Sequence, residues 1–362
     1  MSGLVPRPWI ESLEVYEGGK SKTDGVAKAI KLSSNESALG PSPKAMEAYA
    51  AAVHTLHRYP DASYATLKQT IADKYGLEAK RIVCGIGSDE ILKLACRAYV
   101  APGDEVIYSR YGFMMYPIAA KSVGGVPVES EDKDYTADVD KILASVSDKT
   151  RLVFLANPNN PTGTYISVPE VERLHRGLPD NVLLVLDAAY AEFVAAQDYE
   201  AGIALASSAS NVLMTRTFSK LYGLAALRLG WGYASADVAA NLDRLRDPFN
   251  VPTPTELAGT AALTDIAFEE QAVAHNSHWL GWLTAEIGAL GLQVVPSVTN
   301  FILIRFPGGE KSAEAANEFL LKKGYILRWL PGQGLGNCLR LTVGLEEDNR
   351  AVVALLKEFM DA

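Results

Sequence analysis

Cysteine is scarce in this chain: Cys84, Cys96 and Cys338 are the only three in 362 residues. An odd, widely spaced set closes no disulfide framework and offers no tetrahedral zinc spacing, so a stapled scaffold and a zinc module are both excluded and a reducing compartment fits. Histidine is also rare, at five. His275 and His278 stand at i, i+3 on one helix face, but no third ligand lies near, and they read as a solvated face with no metal. Positive charge is in deficit, with 34 Lys and Arg against 43 Asp and Glu and a net charge of −9. That balance favours solubility and argues against a nucleic-acid surface, while a few arginines in a pocket can still hold acidic small molecules. Met1 to Lys20 contains no long apolar run, so neither a secretory signal nor a membrane span is expected and the cytoplasm is the default. Internal repeats, low-complexity tracts and heptads are absent as well.

What is present is ample apolar content, 48%, in a chain long enough for two domains. Residues 1 to about 40 carry Gly18, Gly19, Gly25 and Gly40, with Pro41 and Pro43 just beyond, and no long periodic segment, so they read as an arm ordered by packing elsewhere. From Tyr64 onward helices and strands alternate, with strands expected at 81–84, 105–108, 126–129, 151–156, 182–186, 212–214 and 229–233. That alternation predicts a mainly parallel sheet covered by helices on both faces, in a large domain spanning 41–250. Pro248, Pro252 and Pro254 then break the chain. Beyond them, a long helical stretch from Thr255 to about Leu290, strands near 300–305 and 339–343, and helices near 312–322 and 346–359 predict a smaller α+β domain, 251–362. The fold class is α/β.

The chemistry concentrates between Arg216 and Arg228. A buried strand leads into Thr217, Phe218, Ser219 and Lys220, which places the polar residues on the loop leaving a sheet edge, where open α/β sheets bind ligands. A lysine enclosed among other cations loses part of its charge stability, and its free amine can form a Schiff base with an aldehyde. Ser-Lys followed by Gly-Leu-x-x-x-Arg resembles the lysine motif of fold-type I pyridoxal-phosphate aminotransferases. Arg-Thr-Phe-Ser-Lys with Leu-Arg-Leu-Gly is most similar to their histidinol-phosphate aminotransferase group. Pyridoxal 5'-phosphate is the cofactor implied.

The resemblance extends along the chain. Ser34-Asn35-Glu36-Ser37-Ala38-Leu39-Gly40-Pro41 is similar to a family segment, with Ser37 and Ala38 in place of the usual Asn and Pro; Asn35 is implied near the substrate. Tyr59, in Arg58-Tyr59-Pro60, matches an element that in the family reaches the neighbouring subunit's site and touches the cofactor phosphate, which implies a homodimer with shared sites. Gly85 to Glu90 joins a strand to a helix whose first amides, at Ser88 and Asp89, can hold a dianion. From the residues alone an ordinary helix capped by Ser88 reads the same way. In the family this position binds the phosphate, opposite Thr217, Ser219 and Arg228. Tyr111 falls where the family stacks an aromatic ring on the pyridine. Asn157, opening Asn157-Pro158-Asn159-Asn160-Pro161-Thr162-Gly163, can donate an amide to the cofactor's phenolic oxygen, which Tyr190 would share.

Asp187 ends an apolar run, where an unpaired carboxylate is costly and needs a cation. The protonated pyridine nitrogen is one. Arg340 matches the group's carboxylate-binding arginine, whose fork suits bidentate contact. Arg328 matches a second arginine used near the substrate phosphate, with Tyr16 beside it, although a strand arginine turned to solvent reads equally from the residues. The resemblance implies ping-pong transamination of histidinol phosphate and imidazole acetol phosphate with glutamate and 2-oxoglutarate, in histidine biosynthesis. The alternative is an aromatic amino-acid or prephenate aminotransferase, for which the same arginines serve. In either case the partners are a small amino donor and a keto acceptor.

Overall fold

A computed structural model describes residues 3–13, 15, 18 and 29–362. The predicted Tyr16 lies outside the described residues. In chain order the strands are β1 (Ile30–Lys31), β2 (Ile82–Ile86), β3 (Glu105–Ser109), β4 (Val126–Ser130), β5 (Asp132–Lys133), β6 (Thr136–Ala137), β7 (Thr150–Ala156), β8 (Leu183–Asp187), β9 (Val212–Thr217), β10 (Leu229–Ala234), β11 (Gln293–Val295), β12 (Phe301–Arg305), β13 (Tyr325–Ile326), β14 (Arg328–Leu330) and β15 (Leu335–Thr342).

Seven strands form the main sheet, in the order β2-β10-β9-β8-β7-β3-β4. All neighbours are parallel except β10, which runs against both β2 and β9. The near-continuous apolar runs follow from burial on two sides. In β7, Val153 and Leu155 enter one core while Leu152 and Phe154 enter the other, and in β8 Leu184 and Leu186 part from Leu183 and Val185 in the same way. Successive side chains on a strand point to opposite faces, so both must be apolar when helices cover both.

A second, antiparallel sheet has the order β11-β12-β15-β14 and packs a third core with the final helix, Glu346–Asp361. The arm reaches the same core through Leu32, and β1 pairs in parallel with β13 in a separate two-stranded sheet. The helical stretch from Thr255 divides into Thr253–Thr264 and Ile266–Ala289, because Asp265 leaves helical geometry at φ −92° and ψ 67°. A short acid competes with the backbone for hydrogen bonds and so favours such a junction over a helix interior. Thr217, expected on the loop, proves to be the last residue of β9, and Asp187 is the last residue of β8.

The sheet's register brings the polar ends together. Ala156 lies opposite Asp187, and Asp187 opposite Thr215, so the chain turns from core-forming to polar at one level across three strands. Two glycines let other segments close on this edge. A Cβ at Gly230 would stand 2.2 Å from the Ser88 nitrogen, so only glycine lets helix α3 (Ser88–Tyr99) begin against β10. Gly223, at φ +66°, packs on Gly40, whose carbonyl oxygen a Cβ would meet at 2.2 Å.

All three cysteines are buried and free. Burial pushes the Cys84 and Cys96 thiols up to about 12 and Cys338 to about 11. Among the described residues no helix is long and apolar enough to cross a membrane, and no cluster of His, Cys, Asp and Glu is placed to hold a metal.

Candidate active site

The polar strand ends open into a cavity of about 280 Å³. Lys220 stands on the turn after β9, inside that cavity, with its Nζ donating to the Ser34 carbonyl at 3.3 Å and lying 5.6 Å from the centre of the Tyr190 ring. Burial, helped by the Arg340 and Arg228 charges, lowers its ammonium pKa to about 8, although Asp89 and Glu36 act the other way. A neutral amine is therefore present near neutrality.

Asp187, 6% exposed, forms part of the wall. The Tyr116 hydroxyl donates to its Oδ2 at 2.9 Å, and Thr215 donates to Oδ1 at 3.3 Å. Burial nonetheless raises its carboxyl to about 6, with the neighbouring Asp89 charge adding to the rise. Two hydroxyls and the Ala189 amide bond to it, and a cation entering the cavity would meet a carboxylate ready to pair with it.

At the other end Arg228, in left-handed backbone geometry at φ 53°, reaches Ser219 Oγ at 3.3 Å and Asp89 Oδ2 at 3.3 Å. Thr217 Oγ1 accepts from the Ser219 amide at 3.1 Å. The N-cap of α3 is Gly87, without a side-chain cap, and Ser88 is the first helical residue. The capped-helix alternative therefore does not apply, and the opening amides of α3 face the cluster of Arg228, Ser219 and Thr217.

Two of the predicted residues stand elsewhere. Tyr111 does not line the cavity: it stacks on Tyr135, ring centres 5.7 Å apart, and joins the cluster around Leu330, Leu335 and Cys338. The turn at Gly112, closed by a 2.7 Å bond to the Ser109 carbonyl, brings Phe113 to the cavity instead. Asn157 is likewise outside the lining. Its side chain bridges both backbone groups of Ile166, at 3.0 and 2.9 Å, and so holds the loop to itself. Asn160, the second Asn-Pro of the same loop, lines the cavity and accepts from Arg340 Nη1.

Asn35, buried at φ 55°, donates to the Tyr190 hydroxyl at 2.8 Å and exchanges bonds with Thr342. Arg340 Nη2 donates to the Ser33 carbonyl at 2.7 Å. Arg328 and Arg340 are directly opposite in the β14–β15 register, and both line the cavity. Tyr59 is 83% exposed, stacked on Phe249, and is not among the lining residues. Phe113, Tyr116, Asn160 and Thr215 are among the cavity or wall residues that sequence reasoning passed over.

The description "Aminotransferase class I and II" belongs to the family model that matches residues 27–355. The chain is 54% identical to the histidinol-phosphate aminotransferase of Paramagnetospirillum magneticum, over 100% of both chains. It is 51% identical to that of Sphingopyxis alaskensis, over 98% of this chain and 97% of the relative. The crystal structure of histidinol-phosphate aminotransferase from Sinorhizobium meliloti in complex with pyridoxal-5'-phosphate has the same fold, with a TM-score of 0.90 at 28% identity, covering 100% of this chain and 98% of that one. With a lysine, a buried acid and an anion cradle around one cavity, and with likeness running from end to end, the chain belongs to the aminotransferase class I and II family.

Proposed function

We propose that the chain is a pyridoxal-phosphate-dependent aminotransferase of histidine biosynthesis, exchanging an amino group between histidinol phosphate and 2-oxoglutarate to give imidazole acetol phosphate and glutamate. The observation that carries the substrate class is the Arg328–Arg340 pair, two arginines at directly opposite positions of β14 and β15 that both line the cavity. Like charges directly opposite on neighbouring strands repel, so the pair favours an anion that both can share. Histidinol phosphate brings a phosphate monoester and glutamate a pair of carboxylates. An aromatic amino acid brings one carboxylate.

The residues fit the cofactor. Asp187 is a buried acid lining the cavity, bonded only to neutral groups (the Tyr116 and Thr215 hydroxyls and the Ala189 amide) among the described residues, which suits a protonated ring nitrogen. Arg228, Ser219, Thr217 and the opening of α3 suit a phosphate, Phe113 a flat ring, and Asn160 with Tyr190 a phenolic oxygen. When bound, pyridoxal phosphate supplies an aldehyde open to amines and a cationic ring that takes up the electrons of a broken Cα–H bond. Among the described residues Lys220 is the one lysine lining the cavity, and its neutral Nζ acts first as nucleophile and then as the base that takes the substrate's α-proton. Tyr116 and Thr215 keep Asp187 oriented. Arg340 and Arg328 fix the substrate by its anion, and Tyr190, held by Asn35, fixes a polar edge beside Lys220. In this reading residues 41–250 bind the cofactor, 251–362 supply the substrate arginines, and the enzyme works in the cytoplasm.

The test is a substrate panel. Catalytic efficiency on histidinol phosphate with 2-oxoglutarate should exceed that on phenylalanine and tyrosine by a wide margin, and a preference for the amino acids would overturn the assignment. Arg328→Ala should raise KM for histidinol phosphate by about ten- to a hundredfold, the loss of one charged hydrogen bond, and raise that for glutamate less.

The working unit is a homodimer. Met46, Tyr49, Val53 and Leu56 expose one apolar side of helix α1 (Pro43–Ala51) and the turn that follows it, and Tyr59, Phe249 and Leu257 are exposed near by in the fold. Helical spacing of i, i+3, i+7 puts the first four on one stripe, an uncovered surface that a second copy would bury. Sedimentation should give the mass of two chains, and Val53→Asp with Leu56→Asp should give one. A monomeric wild type would refute it.

A further inference from the structure

Outside the cavity lining runs a second set of buried polar groups that no step above uses. Arg216, on β9 four residues before Lys220, and Glu192, on the turn two residues after Tyr190, form an ion pair with Nη2–Oε1 at 2.8 Å and Nε–Oε1 at 3.1 Å, their side chains 6% and 4% exposed. Arg216 Nη2 also donates to the Tyr75 hydroxyl at 3.4 Å, and its guanidinium lies 4.8 Å from the centre of the Tyr75 ring. Tyr75 closes helix α2 (Ala65–Tyr75), and its hydroxyl stands 3.1 Å from that of Tyr222, two residues after Lys220. The two hydroxyls share one hydrogen bond, and the Tyr75 oxygen has acceptor capacity for Arg216 as well. One chain of contacts thus grips the Lys220 segment on both sides and ties it to the turn that carries Tyr190.

A buried ion pair contributes little stability compared with apolar groups of the same size, so its retention calls for another reason. Glu192 sharpens the point, since its Oε2 is buried without a hydrogen-bond partner among the described residues. We propose that Glu192, Arg216, Tyr75 and Tyr222 act as one positioning unit that fixes the Lys220 amine against the Tyr190 hydroxyl. None of the four touches the reacting atoms. The inference rests on Lys220 being the acting amine, as proposed above.

The experiment uses full-length Tyr75→Phe, Tyr222→Phe and the double variant Glu192→Met/Arg216→Met. The tyrosine changes keep the rings, and the double change removes both charges at once, which spares the protein an orphaned ion. Turnover is expected to fall about tenfold in the single variants and about a hundredfold in the double, with KM for 2-oxoglutarate held within about twofold, because misplacement of a reacting group lowers kcat and leaves ground-state binding. In the cofactor-free protein, acetylation of Lys220 read by peptide mass spectrometry should have its pH midpoint moved upward from about 8 towards the ordinary lysine range. Only variants that are fully folded, with cooperative unfolding and a wild-type circular dichroism spectrum, are compared, because unfolding would itself expose Lys220 and raise its midpoint. Unchanged kcat together with an unchanged midpoint in the two tyrosine variants overturns the proposal. A wild type inactive on histidinol phosphate strikes instead at the substrate reading, and the acetylation midpoint still decides this one.

Discussion

Asp187→Asn is expected to move stability and turnover in opposite directions. In the folded chain the Asp187 carboxyl sits at about 6, against an ordinary value of 3.8, and burial is the main cause. The folded state therefore holds this proton more tightly than the unfolded state does. The contribution of Asp187 to stability is fully favourable below about pH 4, is lost as pH rises through 6, and leaves cofactor-free protein about 3 kcal/mol less stable at pH 8 than if the site were neutral. Asparagine is neutral; its one oxygen can accept from Tyr116, and its amide nitrogen can donate to the Thr215 hydroxyl. Chemical denaturation of the cofactor-free proteins should show the variant ahead at pH 8, with its lead fading towards pH 4. Turnover should drop by about 10²–10³, the usual loss when a buried group aimed at developing charge is removed. A variant less stable than wild type across this range, or one that keeps its activity, would remove Asp187 from the role given to it.

Lys220→Ala should abolish turnover, by about 10⁴ or more, at every pH, because nucleophile and base are lost together. The yellow absorbance of a lysine-linked pyridoxal should vanish with it, while far-ultraviolet circular dichroism stays that of the wild type. Stability again carries a signature. The folded-state value of about 8 lies below the ordinary 10.5, so the wild-type lysine destabilises the cofactor-free fold at neutral pH and ceases to do so as pH rises from 8 to beyond 10.5. Cofactor-free Lys220→Ala is expected to exceed wild type at pH 7 and to match it near pH 11. Absorbance that persists in the variant would place the reactive amine elsewhere.

Much of this arrangement was legible in the chain itself. Lys220, Ser219 and Arg228 lie within a few residues of one another, and the strand before them could be read from its apolar run, so proximity in sequence implied proximity in space. Asp187 was readable for a different reason: an acid closing five apolar residues has little solvent to turn to. The errors arose where two equivalent residues compete. The loop from Asn157 to Gly163 holds two Asn-Pro steps, and only the path of the chain off β7 decides that Asn160 faces the cavity while Asn157 binds Ile166. Tyr111 and Phe113 are separated by one glycine turn, and the direction of that turn depends on a contact with Ser109 that no periodicity reveals. Tyr116 was invisible because it lies in helix α4 (Met115–Ser122) and stacks on Phe154 like any core residue, with only its hydroxyl directed at Asp187. The break at Asp265 was missed because apolar content runs through it on both sides.

The fate of the thiols has a use. Thiolate is the reactive form, and a buried thiol raised to 11 or 12 supplies almost none of it at neutral pH. A coloured alkylating reagent then finds its target chiefly in molecules that have opened, and the rate at which colour appears becomes a clock for that opening. Run with and without bound ligands, such a clock times how long each form of the protein keeps its interior closed, with no substitution introduced.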